Sequence, residues 1–275
     1  MTTIGEFLAN SALQGGLARP DVWALGCHVL DRPLARLLAT DQEPLAPADE
    51  RHWLALIARR REGWPLSYLV GHTEFWSLPL AVAPAVLVPR PETEVLVEEA
   101  LAGAPSGLAR CLDLGTGSGA IALALKSAWP QAWVVACDAS LSALAVARQN
   151  ARRLDLDIAF LAGDWLAPFQ GGARFDLIAS NPPYIASDDP ALAADGVRFE
   201  PRLALDGGPD GLRALAAIVA QAGSALNPGG RLLLEHGFDQ GPAVQALLRA
   251  QGFRDVATRA DYAGHARVTT GRSHG

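Results

Sequence analysis

One stretch limits the architecture more than any other. Leu112-Asp113-Leu114 is apolar and strand-like, Gly115-Thr116-Gly117-Ser118-Gly119 follows at once, and Ala120-Ile121-Ala122-Leu123-Ala124-Leu125 continues with helical composition. Strand, glycine-rich turn and helix in that order open a βαβ unit, which commits the chain to a parallel sheet flanked by helices. Glycines at such a turn adopt φ values that side chains resist, and they let backbone amides lie against a ligand. The loop lacks the Lys-Ser/Thr pair of a Walker A phosphate loop, and its spacing is G-x-G-x-G where the dinucleotide fingerprint reads G-x-G-x-x-G. An acid, Asp113, precedes the first glycine by two residues. Alone, the loop also suits a dehydrogenase.

The next strands narrow the choice. Trp133-Val134-Val135-Ala136-Cys137-Asp138 is an apolar run ending in a carboxylate. An acid about twenty residues past the glycines accepts hydrogen bonds from the ribose hydroxyls of an adenosine-containing cofactor. The competing role for Asp138 is a charge at a helix start beside Ser140. A helix over Leu141 to Leu154 and a strand at 157–161 lead to Gly163-Asp164-Trp165. There Asp164 can meet an adenine amino group and Trp165 its ring, or Trp165 can serve as a loop anchor.

Phe175-Asp176-Leu177-Ile178-Ala179-Ser180 reads as a buried strand stopped by Asn181-Pro182-Pro183-Tyr184. Each proline fixes its own φ, restricts its predecessor and lacks an N–H, so the corner is stiff and its carbonyls have set directions. Asn181 adds a side-chain acceptor and Tyr184 an aromatic face. Rigid acceptors beside a ring suit the grip of a planar NH₂ group, with Asn181 and the Pro182 carbonyl as catalytic acceptors and Pro183 and Tyr184 completing the substrate site. An ordinary Pro-Pro loop with a flanking aromatic is the bland alternative.

The remaining pattern predicts seven strands, at 110–114, 132–137, 157–161, 175–180, 230–235, 253–258 and 266–270, with a helix from Gly211 to Leu226. Asp261-Tyr262-Ala263-Gly264 is too short for a helical crossover, so the last two strands pair antiparallel in a mixed, Rossmann-like sheet. Residues 1–70 carry short amphipathic helical patterns with breaks at Gly15-Gly16, Pro33, Pro44 and Pro47, and predict a small bundle. Residues 71–91 read as a hairpin linker, from Phe75-Trp76-Ser77-Leu78 and Leu80-Ala81-Val82, and 92–275 as the α/β domain.

Composition excludes several classes. Among 275 residues, 23 basic against 29 acidic give a net charge of −6, which argues against a protein that grips nucleic acid by many phosphates. Arg59-Arg60-Arg61 is followed by Glu62 and reads as a solvated helix end. Cys27, Cys111 and Cys137 have no metal spacing and read as buried thiols in a reducing compartment, and no metal is expected. No apolar run reaches the ~18 residues of a membrane helix, so the cytoplasm is the expected location.

Taken in order, these motifs resemble the class I S-adenosylmethionine-dependent methyltransferases. In detail the chain resembles the protein-glutamine methyltransferases that modify peptide chain release factors, historically called HemK. Gly71-His72-Thr73-Glu74-Phe75-Trp76, Leu87-Val88-Pro89-Arg90-Pro91-Glu92-Thr93-Glu94, Val197-Arg198-Phe199-Glu200-Pro201 and Leu234-Glu235-His236-Gly237 carry the likeness across nearly the whole chain. The resemblance implies a cofactor, S-adenosyl-L-methionine, held by Gly115, Thr116, Gly117, Ser118, Gly119, Asp138, Asp164, Trp165 and Asn181. It implies as substrate the glutamine of a Gly-Gly-Gln loop in class I release factors, recognised by a monomer through the helical region at residues 1–70. Arg90, Glu92, Thr93 and Arg198 to Pro201 would border the pocket or form an internal ion pair, and Glu235 and His236 would reach the same rim. A related family methylates a glutamine of a ribosomal protein. A nucleic-acid adenine amino-methyltransferase would suit the same corner.

Overall fold

A computed structural model describes residues 2–14, 16–103, 110–170 and 172–274. Gly15, read as a helix break, lies outside the described residues. The chain divides into two compact units, Met1–His72 with Ala193–Phe199, and Thr73–Leu192 with Glu200–Gly275.

The first unit is helical: α1 (Ile4–Gln14), α2 (Arg19–Leu30), α3 (Leu34–Ala39), α4 (Pro47–Arg61) and α5 (Leu66–Val70). Pro20 and Pro47 sit in first turns, where the missing N–H costs nothing. The bundle closes on Trp53, which is fully buried. Its ring lies 4.6 Å from Phe7, and its Nε1 donates to the Val22 carbonyl at 3.1 Å. Gly26 lets α2 press onto that ring, since a Cβ there would lie 2.2 Å from it. The arginine cluster at the end of α4 is partly consumed inside the unit: Arg60 bonds Asp21 at 2.8 Å, and the Arg59 guanidinium lies over Trp64. Trp64 also stacks on Phe199 at 4.5 Å, tying in the segment Ala193–Phe199.

The second unit begins with the hairpin β1 (His72–Phe75) and β2 (Leu78–Ala81). Its turn is Trp76-Ser77, both at positive φ, and it falls inside the first of the two extended runs the sequence indicated. Next come α6 (Glu94–Ala102), β3 (Arg110–Leu114), α7 (Ala120–Ala128), β4 (Trp133–Asp138), α8 (Leu141–Arg153), β5 (Ala159–Ala162) and β6 (Phe175–Ser180). The unit ends with α9 (Arg213–Ala225), β7 (Leu226–Glu235), α10 (Gly241–Ala250), β8 (Arg254–Ala260) and β9 (Ala266–Arg272). Strands β3 to β9 form one sheet in the order β5-β4-β3-β6-β7-β9-β8. The first five run parallel, and β9 is antiparallel to both neighbours, as the short connection required.

Alternate residues feed two cores, one on each face of the sheet. Cys111, Val134, Ala136 and Leu177 pack with Leu96 and Leu123, while Leu112, Leu114, Val135 and Ile178 pack with Ile218 and Val244. The expected helix from Gly211 to Leu226 starts two residues late, because Gly211 is left-handed at φ +73°. Strand β7 starts four residues early, at Leu226, and the register between Phe175 and Leu177 shifts to absorb Asn227-Pro228-Gly229-Gly230. Leu114 pairs with Cys137 and with Ser180, so the glycine loop, Asp138 and Asn181 leave the sheet on one edge.

Candidate active site

That edge opens into a cavity of about 470 Å³, lined by Gly115 to Ser118, Asp138, Asp164, Trp165 and Asn181. Val86, Leu87 and Pro89 line it from the segment ahead of α6, and Pro201, Leu203 and Ala204 from the segment ahead of α9. The glycine turn is fixed from several sides. The N–H groups of Gly115 and Thr116 donate to the Cys137 carbonyl at 2.9 and 3.0 Å. Beneath it, fully buried Asp113 accepts from the Thr116 hydroxyl at 2.6 Å and from the Ala122 N–H at 3.1 Å. Burial pushes its carboxyl up to about 7, against the lowering effect of those two bonds. Asn150 of α8 is a staple that sequence reasoning missed. Its Nδ2 donates to the Ser118 carbonyl at 2.9 Å and the Ala81 carbonyl at 3.0 Å, and its Oδ1 accepts from the Ala81 N–H at 2.7 Å.

Asp138 sits at the helix start beside Ser140, as one of its two foreseen roles requires, and it also lines the cavity. One oxygen accepts from the Ser140 N–H at 2.8 Å, where Ser140 caps α8, and the other accepts from the Gly117 N–H at 2.9 Å. Each oxygen keeps a lone pair for a ligand on the cavity side. Trp165, at φ +45°, lines the cavity and also packs against the second core, so it is anchor and wall together. Gly117 provides the test of fit for a bound cofactor. A Cβ there would meet no atom within 4 Å, so a left-handed backbone faces open cavity. A glycine cradle, an acid at the end of β4 and a tryptophan wall fit an adenosine-containing group.

The corner after β6 is pinned by Ser180, whose hydroxyl donates to the Leu114 carbonyl at 2.7 Å. Asn181 and Pro183 line the cavity, while Pro182 is buried and is not part of the lining. Asn181 Nδ2 donates to Thr93 Oγ1 at 3.1 Å, which leaves Oδ1 as the acceptor of that amide. The ring of Tyr184 packs with the second core, and its hydroxyl lies 3.4 Å from Glu235 Oε1. Burial and the Glu235 charge push the phenol well above its ordinary range. Its ring and hydroxyl therefore have the core and the Glu235 carboxyl as their contacts.

The segments read as rim divide into several places. Arg90 pairs with Glu200 at 2.8 Å inside the second unit, and the Glu200 side chain is 1% exposed. Burial raises the Glu200 carboxyl more than Arg90 lowers it. Arg198 belongs to the helical unit, where it pairs with Asp195 at 3.1 Å. Glu92 is exposed, Thr93 is buried beside Asn181 on the cavity wall, and Glu235 is buried under the Tyr184 hydroxyl. His236 is fully buried and bonds the Thr269 hydroxyl at 2.7 Å within the sheet, so it is no rim residue. Among the described residues, no cluster of three or more His, Cys, Asp or Glu has a metal-holding arrangement, and no helix is long and apolar enough to cross a membrane.

Comparison with known proteins matches two family models, the PrmC N-terminal domain over residues 7–71 and the methyltransferase small domain over 92–195. A curated relative from Bordetella pertussis, a release factor glutamine methyltransferase, is 49% identical over 98% of this chain and 99% of its own length. One of the same name from Escherichia coli K12 is 45% identical over 92% of each chain. In solved structures the fold matches the hMettl16 catalytic domain with TM-score 0.57 and 17% identity over 82% of each chain. It also matches a T. thermophilus 16S rRNA N2 G1207 methyltransferase, solved with AdoMet and guanosine, with TM-score 0.54 and 21% identity over 74% of this chain and 50% of that one.

Proposed function

We propose how this chain, which belongs to the release factor glutamine methyltransferase family, carries out its reaction: the corner at Asn181 presents the side-chain amide of a release-factor glutamine to a methyl donor held by the glycine loop. The enzyme is a protein-glutamine N-methyltransferase that uses S-adenosyl-L-methionine. When bound, that cofactor supplies an electrophilic methyl group on a sulfonium centre. Its holders are Gly115 to Gly119, Asp138, Asp164 and Trp165, most of them on the cavity wall.

A carboxamide nitrogen is a weak nucleophile, because its lone pair is delocalised into the carbonyl. The protein must therefore orient it and favour charge on it. Asn181 Oδ1 and the Pro182 carbonyl accept the two amide hydrogens. The nitrogen becomes more positive as it attacks, and fixed acceptors stabilise that charge, the converse of an oxyanion hole. Holding the reacting atoms in line is worth roughly 7–11 kcal/mol of barrier. The substrate is the glutamine of a Gly-Gly-Gln loop in class I release factors, whose flanking glycines let the side chain enter a narrow pocket. The helical unit recognises the body of the release factor. We assign the enzyme to the cytoplasm as a monomer without metal or direct nucleic-acid contact, and the acidic charge balance supports the last point.

The observation that carries this reading is the sharing of one cavity by Asn181 and the left-handed glycine cradle. Incubation with labelled cofactor and purified release factor, followed by mass mapping of the peptide, tests it. Label belongs on the loop glutamine, and Asn181→Ala should slow transfer by roughly 10²-fold or more. Transfer by Asn181→Ala within a few-fold of wild type refutes the role of the corner. Label confined to a ribosomal protein or to RNA refutes the substrate.

A further inference from the structure

The Ser118-Gly119 peptide joins a residue on the cavity wall to the left-handed cap of α7. Glycine accepts φ of either sign, so Gly119 gives that peptide no preferred direction of its own. A half-turn would reverse the Ser118 carbonyl and take the Gly119 N–H from the Thr116 carbonyl, which it meets at 2.8 Å. We propose that Asn150 is a positioning residue for the cofactor, holding this peptide in one sense, and that the hairpin β1–β2 sets the Asn150 amide that does so. This rests on the glycine loop as the holder of the cofactor.

Three hydrogen bonds carry the argument. Asn150 is fully buried in α8 and is not part of the cavity wall, whereas Ser118 is. Its Nδ2 donates to the Ser118 carbonyl at 2.9 Å, which draws that carbonyl into the protein and away from the ligand space. The same Nδ2 donates to the Ala81 carbonyl at 3.0 Å, and Oδ1 accepts from the Ala81 N–H at 2.7 Å. Two bonds of opposite sense to one backbone residue fix which way the amide faces. Turned over, it would set its NH₂ against the Ala81 N–H and its oxygen against two carbonyls. At a fully buried site no bulk water relieves that mismatch. The end of β2 thus orients the amide, and the amide orients the loop.

The loop is gripped at two points around α8. Ahead of that helix, Asp138 accepts from the Gly117 N–H at 2.9 Å. Toward the other end, Asn150 takes the Ser118 carbonyl. Neighbouring backbone groups are therefore ordered before a ligand arrives, and binding bears little of the cost of ordering them. Without Asn150 the Ser118 carbonyl is buried with no donor, and it gains by turning toward water in the cavity. Only the fraction of molecules that keeps the original sense then binds the cofactor well.

The test compares full-length wild type with Asn150→Ala, Ala81→Pro, their double variant and Gly117→Ala. The readouts are calorimetry of S-adenosylmethionine and ligand-free hydrogen exchange by mass spectrometry. Asn150→Ala should weaken cofactor binding about tenfold or more, and raise KM for the cofactor more than it lowers kcat. Exchange over residues 115–119 should accelerate while β4 keeps its protection, a contrast that general destabilisation does not produce. Ala81→Pro deletes the N–H that orients the amide. It should weaken binding in the wild-type background and add less than about twofold to Asn150→Ala. Asn150→Ala with affinity within about twofold of wild type, beside a Gly117→Ala that has lost it, overturns the role of Asn150 and leaves the cradle standing. Gly117→Ala with full affinity overturns both. Equal acceleration of exchange in loop and sheet also overturns the positioning role. If Asn150→Ala fails to fold, the remaining measurements decide: unchanged affinity in Ala81→Pro, or a wild-type loop protected only after cofactor is added, overturns the proposal.

Discussion

Two glycines of the same loop, both left-handed, should fail for different reasons when given a methyl group. Gly119 has φ +88° at the N-cap of α7, and a Cβ there would lie 3.1 Å from Leu123 Cδ1 and 3.2 Å from Ala147 Cβ. Both neighbours are fully buried, so neither can retreat into solvent. Left-handed backbone costs an alanine about 1–2 kcal/mol and crowding in a packed core about 1–3, so Gly119→Ala should lose roughly 2–5 kcal/mol. For a domain of this size that is a fall in Tm of at least about 5 °C. Gly117 has φ +55° and nothing within 4 Å of its added methyl. Gly117→Ala therefore bears the backbone term alone, about 1–2 kcal/mol. Its methyl would instead stand in cavity space beside Asp138, and affinity for S-adenosylmethionine should fall at least about tenfold, or 1.4 kcal/mol. Thermal unfolding without ligand, paired with calorimetric titration of both variants, separates the effects. Unchanged affinity in Gly117→Ala would show that the cradle does not contact the cofactor, and unchanged Tm in Gly119→Ala would refute the packing estimate.

Two further outcomes are expected. Trp53→Ala removes the centre of the helical core and a buried N–H to carbonyl bond, a loss of about 3–5 kcal/mol. Methylation of intact release factor should fall steeply while calorimetry finds cofactor affinity retained, and equal loss of both would refute the division of labour between the units. Glu235→Gln should change the dependence of stability on pH. The folded carboxyl titrates at about 7 against an ordinary 4.5, so the unfolded chain holds fewer protons in that window. Wild type thus loses stability as pH rises through it, by at most about 3 kcal/mol, and glutamine does not. Urea midpoints at pH 5 and 8 should show the variant gaining on wild type at the higher pH, and parallel shifts would contradict the assignment.

Legibility in the sequence followed the range of the interaction. The loop at Gly115 to Gly119 and the corner at Asn181 were readable because each is a local backbone device whose residues sit together. The reversed last strand was readable from the shortness of its connection. Asn150 was not, because an asparagine within α8 reveals nothing of Ala81 on a distant hairpin. The turn at Trp76-Ser77 was misplaced because neither residue favours positive φ, and the N–H of Trp76 is held by Glu94 from another element. The direction of Tyr184 depends on the register of β6 against β7, which brings Glu235 beneath its hydroxyl. Arg198 and Phe199 joined the helical unit through contacts to Asp195 and Trp64, and the stacking partner Trp64 is far away in sequence.

The unsatisfied groups lie close to the elements that build the site. Among the described residues, three buried side-chain oxygens have no hydrogen-bond partner: Asp113 Oδ1, Glu200 Oε2 and Glu235 Oε2. Each such group costs about 1–3 kcal/mol, and apolar side chains of the same shape would be cheaper to bury. None of the three lines the cavity itself, and each sits one residue or one hydrogen bond away from the segments that build its wall. Asp113 lies under the glycine turn, Glu235 under the Tyr184 hydroxyl, and Glu200 next to Pro201 on the cavity wall. In each case the oxygen that does bond holds a specific partner, Thr116, Tyr184 or Arg90. Stability is thus surrendered where orientation is needed, as expected of residues that serve a preorganised reaction site.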